Sequence, residues 1–588
     1  MAEAAGNLVI AAQDYRSLAE LSETPMQEDF LLKTANMLIR GGYIDETTQL
    51  AIKLSQRQLT PSQQVDLRLL SARIGLKRKN TKTALANLDL PSSISLTTKQ
   101  QLEYYRLLAD THLLNNDQIA SVRARIQIDA RLDNPEPKLQ NQLRLWQSIS
   151  SLDLNTLKSY ITSPPPDVMS GWLELAYYIN NAAFEPTQLE GQIKYWYERY
   201  LTHPAAEKFV TYLLNNRNEL SGRPQKIAVL LPLSGTFATP ASAIRDGFLA
   251  AYFARKDTDY QPDILFYDTE GSIEKGLQRY QQALDDGASF IVGPLHKPTV
   301  EALSQRETLE VPTLALNYTQ SKNQHRDLFQ FGLLPEDEAR QVAERAWLDG
   351  FDRALLLTPT GEWGDRLRDT FIQHWQQLNG TLIEAQSYDS SQNDFSGPVK
   401  NLLNINNSKQ RHRALQQLLH SDIKFEPRRR QDADFIFVAA FPRQARQIRP
   451  QMKFFYAADM PLYSTSHVYA GTPNSTQDRD MDGIEFCDMP WTLKPNSDQA
   501  PNWDDIEKLW PTVTSLKRLY AMGVDAYQLT PWLRYLQSNN EEHLAGKTGN
   551  LYLDGSNRVH RQLLWAKFSR GKPQLIEGTN NDYGITAY

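Results

Sequence analysis

The spacing of apolar residues changes its period once along the chain, and that change limits the fold more than any other feature. From Gln13 to about Asn218 apolar side chains recur at steps of three and four; from Lys226 onward short apolar runs of strand length alternate with longer helical ones. The first pattern makes amphipathic helices. The second makes right-handed βαβ units, that is, parallel sheets covered by helices on both faces. A polar, Gly/Pro-containing stretch, 215–224, lies between them and is the best boundary in the sequence. The expected architecture is therefore α plus α/β, with a helical domain over residues 1–222 and a two-lobed α/β domain over 223–588.

Within the helical half, residues 30–39 carry the amphipathic spacing and stop at a Gly-Gly pair, and 44–54 repeat it. Paired segments follow at 65–76 with 83–88 and at 102–114 with 119–128. The openings at Pro25, Pro61, Thr97 and Pro135 lie about 36 to 38 residues apart, close to the 34 of tetratricopeptide-type hairpins. Each hairpin can bury one face only, so neighbours must stack. The Trp/Gly/Tyr/Ala signature of that repeat is degraded; small Ala35 and Ala72, and the cluster Tyr104, Tyr105 and Ala109, are the expected packing positions. Later aromatic-rich segments, 172–179 and 193–200, read as inter-helix core, with a peptide groove as the alternative. Pro164, Pro165 and Pro166 make a stiff turn between helices.

In the second half, 226–233, 263–267, 290–293, 313–316, 354–357, 435–440 and 454–457 read as strands, and 241–255, 273–286, 340–348 and 365–378 as helices. The strand cores are almost continuously apolar, as sheets buried on both faces require.

Composition narrows the function classes. The 588 residues suffice for roughly three or four units of ordinary size. The 63 basic and 69 acidic side chains leave a net charge of −6, which gives no general attraction to nucleic acid. Mean hydropathy is −0.53, and no run approaches the roughly 18 apolar residues of a membrane span. The start, Met1 to Gly6, lacks the basic and apolar regions of a signal peptide; it is either a natural cytosolic start or one that replaces a removed signal. The single cysteine, Cys487, excludes an intrachain disulfide and reads as a small buried hydrophobe in a strand over 483–487.

Motifs for chemistry fail one by one. Gly546-Lys547-Thr548 ends like a phosphate loop, but Glu541 stands where the first glycine belongs. Asp478, Asp480, Asp482 and Gly483 match half a calcium loop, but the twelfth position is Met489, so an acidic turn is expected. No catalytic, metal or cofactor constellation emerges, and His412 and His420 fall on a polar segment. That segment, 408–430, is unusually basic for a βαβ connection. It is read as a solvated insertion, or as a surface for an acidic partner, the wall or a membrane, carried by Arg411, Arg413, Arg428, Arg429 and Arg430.

Several phrases nevertheless form an ordered set. Residues 226–235, ending Pro232-Leu233-Ser234-Gly235, with Gly247 in the next helix, resemble the opening of type I periplasmic binding proteins. Gly293-Pro294-Leu295 resembles that family's third-strand turn, Glu362-Trp363-Gly364 its aromatic-Gly helix start, 524–527 its crossover helix and 549–555 its closing hairpin. A helical-repeat domain in front of such a module, together with Asn317-Tyr318 and the run 331–339, is similar to the LpoA (YraM) family of outer-membrane lipoproteins that activate a penicillin-binding protein.

The resemblance implies a non-enzymatic regulator of peptidoglycan synthesis. Such a protein would sit on the periplasmic side of the outer membrane through an N-terminal lipid, bind a class A (1A-type) penicillin-binding protein and stimulate cross-linking. It implies no cofactor, no metal and no nucleic acid; peptidoglycan is a second candidate partner. The lipid-bearing cysteine is not in this chain, which would then begin after it. The rival is a periplasmic receptor for an amino acid or peptide. Its interlobe cleft would use Ser234, Gly235, Gly293, Pro294, Leu295, Asn317, Tyr318 and Trp363, with Thr299 as the one hydroxyl placed to hold a ligand carboxylate. An enzyme acting on peptidoglycan is a third hypothesis that lacks any nucleophile or metal constellation.

Overall fold

The computed structural model describes residues 2–3, 6–91, 94–150, 152–162, 167–181, 189–211, 224–254, 261–319, 325–420, 424–495, 500–509, 516–538 and 542–576. The turn at Pro164–Pro166 and most of the boundary stretch 215–224 lie outside them. By its contacts the chain divides into Ala11–Arg223 and a second unit, Pro224–Tyr588, with which Met1–Ile10 is grouped. No helix among the described residues is long and apolar enough to cross a membrane.

Among its described residues the first unit is helices joined by turns, without a strand. Its helices are α1 (Leu8–Glu20), α2 (Met26–Arg40), α3 (Ile44–Ser55), α4 (Pro61–Lys77), α5 (Thr81–Leu88) and α6 (Thr98–Leu114). They continue as α7 (Gln118–Asp129), α8 (Pro135–Ser150), α9 (Leu154–Tyr160), α10 (Val168–Asn181), α11 (Leu189–Arg199) and α12 (Pro204–Glu207). The helical openings expected near Pro25, Pro61, Thr97 and Pro135 are the starts of α2, α4, α6 and α8.

The repeat is written in polar side chains as well as apolar ones. Thr60 and Gln63 form a capping box at α4, and Thr97 and Gln100 form the same box one repeat later at α6. Each glutamine amide then reaches back to the preceding repeat. Gln63 donates to Pro25 O (2.8 Å) and Asp29 (2.6 Å), and Gln100 to Ser62 O (3.1 Å) and Asp66 (2.9 Å). Ala35, Ala72 and Ala109 recur at 37-residue steps and are all fully buried, because the helices cross where no larger side chain fits. In the last hairpins Trp172 and Trp196 are fully buried around His203, whose Nε2 donates to Val168 O while Nδ1 accepts from Ala205 N. Burial pushes this imidazole down to about 4, and the aromatic segments are core.

The second unit contains two sheets. Its first strands are β1 (Lys226–Leu231), β2 (Asp263–Asp268), β3 (Phe290–Val292), β4 (Thr313–Ala315) and β5 (Leu328–Phe331), with helices α13 (Ala238–Phe253), α14 (Ile273–Asp285) and α15 (Lys297–Ser304) between them. Helix α16 (Pro335–Leu348) leads to the second lobe: β6 (Arg353–Pro359), α17 (Glu362–Gln377), β7 (Thr381–Tyr388), α18 (Ser396–Leu402), α19 (Ile405–Leu419), β8 (Phe435–Val438), α20 (Pro442–Phe454), β9 (Leu462–Ser464) and β10 (Ile484–Asp488). After the short α21 (Pro490–Leu493) and α22 (Trp503–Leu509), α23 (Lys517–Leu529) packs against α13 of the first lobe, and α24 (Leu533–Ser538) follows. Strands β11 (Leu544–Ala545), β12 (Asn550–Leu553) and β13 (Arg558–Gln562) complete the first sheet, and β14 (Leu564–Ser569) and β15 (Lys572–Leu575) the second.

The strand orders are β11-β12-β13-β5-β4-β3-β1-β2 and β15-β14-β10-β9-β8-β6-β7. Both sheets are parallel at their centres and carry antiparallel additions at one edge. The chain passes between lobes three times: before α16, between β10 and α23, and at Leu563. This is the two-lobed α/β architecture expected from the sequence.

Where α13 and α23 cross, Gly247 and Gly523 face each other's backbone. A Cβ on Gly247 would overlap the Tyr520 carbonyl, and one on Gly523 the Ile244 carbonyl. One expected strand is wrong. Residues 454–457 end helix α20 and turn out of it: Tyr456 has φ +65°, and Phe454 is 77% exposed. The aromatic run has β propensity, but only Phe455 of its three rings packs on the core while Phe454 and Tyr456 are exposed; the strand of this position is β9, eight residues further on. Strand β7, whose side chains are mostly half-buried at the sheet edge, gives too weak an apolar pattern to be read, and β5, though buried throughout, is only four residues long.

Candidate functional site

In an open parallel sheet, the crevice for a ligand opens at the carboxyl ends of two strands whose crossovers leave in opposite directions. The first sheet has that point between β1 and β3, and the second between β6 and β8. The loops that follow these four strands are therefore the places to examine.

At the first switch point the polar groups are engaged by the protein itself. The Asp268 carboxylate, at the end of β2, accepts from Leu233 N (2.9 Å), Ser234 N (3.3 Å) and Glu270 N (2.9 Å). Partial burial opposes its ionisation, but these donors outweigh it and hold the carboxyl below its ordinary range. Ser234 and Gly235 are exposed. Gly293 has φ +100° and lies so close to the Leu230 carbonyl that a Cβ would overlap it. Pro294 is buried and Leu295 half-buried. Thr299 is fully buried: its hydroxyl pairs with His296 Nδ1 (3.0 Å) and donates to Ser272 O (3.4 Å), and its methyl abuts Gly276. Asn317 donates to Leu295 O and accepts from Tyr318 N, and the buried Tyr318 hydroxyl donates to Val559 O (2.6 Å). What is left facing outward is a tilted aromatic pair, Phe237 and His296, with ring centroids 6.4 Å apart.

The second switch point is aromatic throughout. Trp363, at the start of α17, stacks on Phe441 at 4.7 Å and 24°. His467, just after β9, lies 5.1 Å from the Trp363 ring and 5.8 Å from that of Phe441. Trp363 is among the residues expected from sequence; Phe441 and His467 are not. Both follow the carboxyl end of a parallel strand. For His467 the signal fails because β9 is misplaced in the sequence reading, and for Phe441 because it looks like the tail of an apolar run.

Behind these rings a buried ionic network joins the three interlobe connections. Glu338, in the first turn of α16, accepts from Ser466 N (2.9 Å) and Ser466 Oγ (3.0 Å), with His467 Nδ1 at 3.6 Å and Arg561 at 3.8 Å. Burial alone would raise its carboxyl, but His467, Arg561 and Arg518 outweigh burial and bring it down to about 2. Arg518, opening α23, pairs with the fully buried Asp488 at 2.6 Å and donates to Ser466 O and Tyr469 O. Gln341 of α16 donates to Arg561 O and accepts from Leu563 N, which ties the last connection to the first.

The remaining motifs resolve as structure. Lys547 N and Thr548 N donate to the buried carboxylate of Asp525 at 2.6 and 2.7 Å, so the Gly-Lys-Thr turn cradles an anion that is the chain's own. Burial still pushes Asp525 up to about 6. In the acidic turn, Asp478 pairs with Arg446 (2.7 Å) and Asp482 accepts from Gly571 N. Cys487 is fully buried, which pushes its thiol well up.

The basic insertion separates into two parts. Arg429 pairs with Asp459 (2.7 Å) and Arg430 with Asp432 (2.7 Å), so these two anchor the insertion to the lobe. Arg411, Arg413 and Arg428 are exposed, the first two on α19.

The family model described as LppC putative lipoprotein matches residues 7–571. The chain is 27% identical over 568 residues to penicillin-binding protein activator LpoA of Vibrio antiquarius (strain Ex25), covering 95% of this chain and 92% of that one. It is 28% identical over 557 residues to the protein of the same name from Aliivibrio fischeri (strain ATCC 700601 / ES114), covering 93% and 90%. Among solved structures it is similar to full-length LpoA from Haemophilus influenzae, with TM-score 0.49 and 24% identity over 96% of this chain and 98% of that one.

Proposed function

The chain belongs to the LppC family of putative lipoproteins, and from that premise we propose that it is a non-enzymatic regulator that binds a class A penicillin-binding protein of the 1A type and raises its peptide cross-linking. Relatives that align over 90% or more of both chains carry the name penicillin-binding protein activator, which supports a reading that uses both units.

The observation that carries the reading is the state of the first switch point. A receptor for an amino acid needs free donors and a reachable hydroxyl for the ligand carboxylate. Here the N–H groups of Leu233 and Ser234 are held by Asp268, and Thr299, the hydroxyl that follows the Gly-Pro turn, is buried against the start of helix α14. The binding-protein fold then serves as a scaffold whose function lies on its surface.

Regulation of this kind asks no chemistry of the chain. A protein that binds the active conformation of the synthase more tightly than the inactive one multiplies the active-to-inactive ratio, at saturation, by the ratio of the two affinities. In this reading the helical unit supplies reach and a docking surface, and the α/β unit the main contact with the synthase. Peptidoglycan is a second surface for it, and a lipid in the full-length protein holds it to the periplasmic face of the outer membrane. A cross-linking assay of a purified class A synthase on lipid-linked substrate, with and without this protein, tests the proposal. Cross-linked product should rise several-fold at equimolar protein; an unchanged yield across a titration would overturn it.

A further inference from the structure

The connection between β7 and β8 contains more chain than its crossover needs. Helix α18 alone returns the chain to the sheet, with Val399 and Leu402 buried against the lobe. Helix α19 is added after it, entered through a left-handed turn at Asn404. The base of α19 is attached to the lobe. Ile405 is buried, Ser408 Oγ accepts from Arg428 N (3.4 Å), and the His412 ring stacks on Phe425 of the returning segment at 4.1 Å and 9°.

Beyond that stack the helix projects. Leu415 is 46% exposed, Leu418 75% and Leu419 55%, and they stand at i, i+3 and i+4, the spacing with which a helix places anchors in a groove. The same helix carries Lys409, Arg411 and Arg413 and no carboxylate, in a chain whose net charge is −6.

We propose that the projecting half of α19 is a docking helix that seats Leu415, Leu418 and Leu419 in an apolar groove rimmed by carboxylates on the partner synthase. The inference rests on the function proposed above and names the element that performs the contact. Charge complementarity selects the occupant: a second copy in a symmetric contact would bring its own α19 and the same cations against this helix, whereas an acidic rim meets them with opposite sign. A lipid surface fits less well. The exposed leucines are confined to the last two turns and interleaved with Gln416 and Gln417, and α19 has no Trp, Tyr or Phe, while an interfacial helix buries an apolar face along its length.

The test uses the full chain against a purified class A penicillin-binding protein, with affinity measured by biolayer interferometry at low and high salt. Wild type should bind, and L415D/L418D should bind at least about tenfold more weakly with an unchanged Tm, since both positions are exposed. L418A should lose affinity in the same direction by less, and R411E/R413E should weaken binding and flatten its salt dependence. F454S, at an exposed phenylalanine on α20, is the control and should bind as wild type. If wild type binds and L415D/L418D binds equally well, the docking helix is wrong and the proposed function stands. If wild type does not bind, both fall. Sedimentation with phosphatidylglycerol vesicles that depends on Leu415 and Leu418, with synthase binding unaffected, would overturn the proposal in favour of a membrane contact.

Discussion

Glu338 shows how a single side chain can report on the joint between the lobes. Its carboxyl is held at about 2 in the fold, against an ordinary 4.5 in an unfolded chain. A depressed carboxylate contributes stability that is complete above pH 4.5 and lost as pH falls toward 2. The size is about 3 kcal/mol at full effect. Glu338→Gln should therefore lower the stability of the α/β unit at pH 7 by up to about 3 kcal/mol and make its loss of stability between pH 4.5 and 2 shallower, leaving the share carried by other depressed carboxylates such as Asp268. Urea denaturation at several pH values checks this; a variant with the wild-type acid profile would show that Glu338 does not carry the dependence. None of this is legible in the sequence. Glu338 reads there as one of three acids opening a helix, and its partners Ser466, Arg518 and Arg561 lie far along the chain. Thr299 makes the complementary point. Its position after the Gly-Pro turn is visible in the sequence, but whether its hydroxyl faces a ligand or the neighbouring helix α14 depends on packing against Gly276.

Among elements, the crossing of α13 and α23 is the contact most sensitive to volume. Gly247 and Gly523 let the two backbones touch, and a methyl group at either overlaps a carbonyl that cannot move without its helix. Gly523→Ala should destabilise the unit by roughly 3 kcal/mol, visible as a drop in Tm, and a neutral result would mean that the helices separate freely. Gly247 is noticeable in the sequence as a glycine on a packing face; its counterpart Gly523 is not, because nothing local marks the helix it meets. The helical repeats were legible for the opposite reason. Pro25, Pro61, Thr97 and Pro135 mark helix starts locally, and the Thr-x-x-Gln boxes at Thr60 and Thr97 were there to be read as well. Strand β9 was misplaced because the propensity of Phe454, Phe455 and Tyr456 competes with burial, and burial decides.

For the whole molecule, the change of period in the sequence anticipates the architecture, since each kind of spacing admits few layered solutions. The candidate site follows it only in part. Trp363 is found and Phe441 and His467 are not, and of the five arginines chosen in the insertion, Arg429 and Arg430 belong to the lobe itself. If the α/β unit carries the main synthase contact, the fragment from Pro224 onward should retain synthase binding within about threefold of the full chain in a pull-down titration; binding by the helical fragment alone would reverse the assignment. The bridges from Gln63 to Asp29 and from Gln100 to Asp66 have a consequence of a different kind. Because the boxes at Thr60 and Thr97 each close on an acid of the hairpin before, a 37-residue insertion or deletion in this part of the chain keeps these two joints matched, and other lengths within the repeats break one. This stretch of the helical unit is thus graduated in whole hairpins, like a ruler with fixed divisions, and related chains of different length here should differ by counts of hairpins rather than by residues.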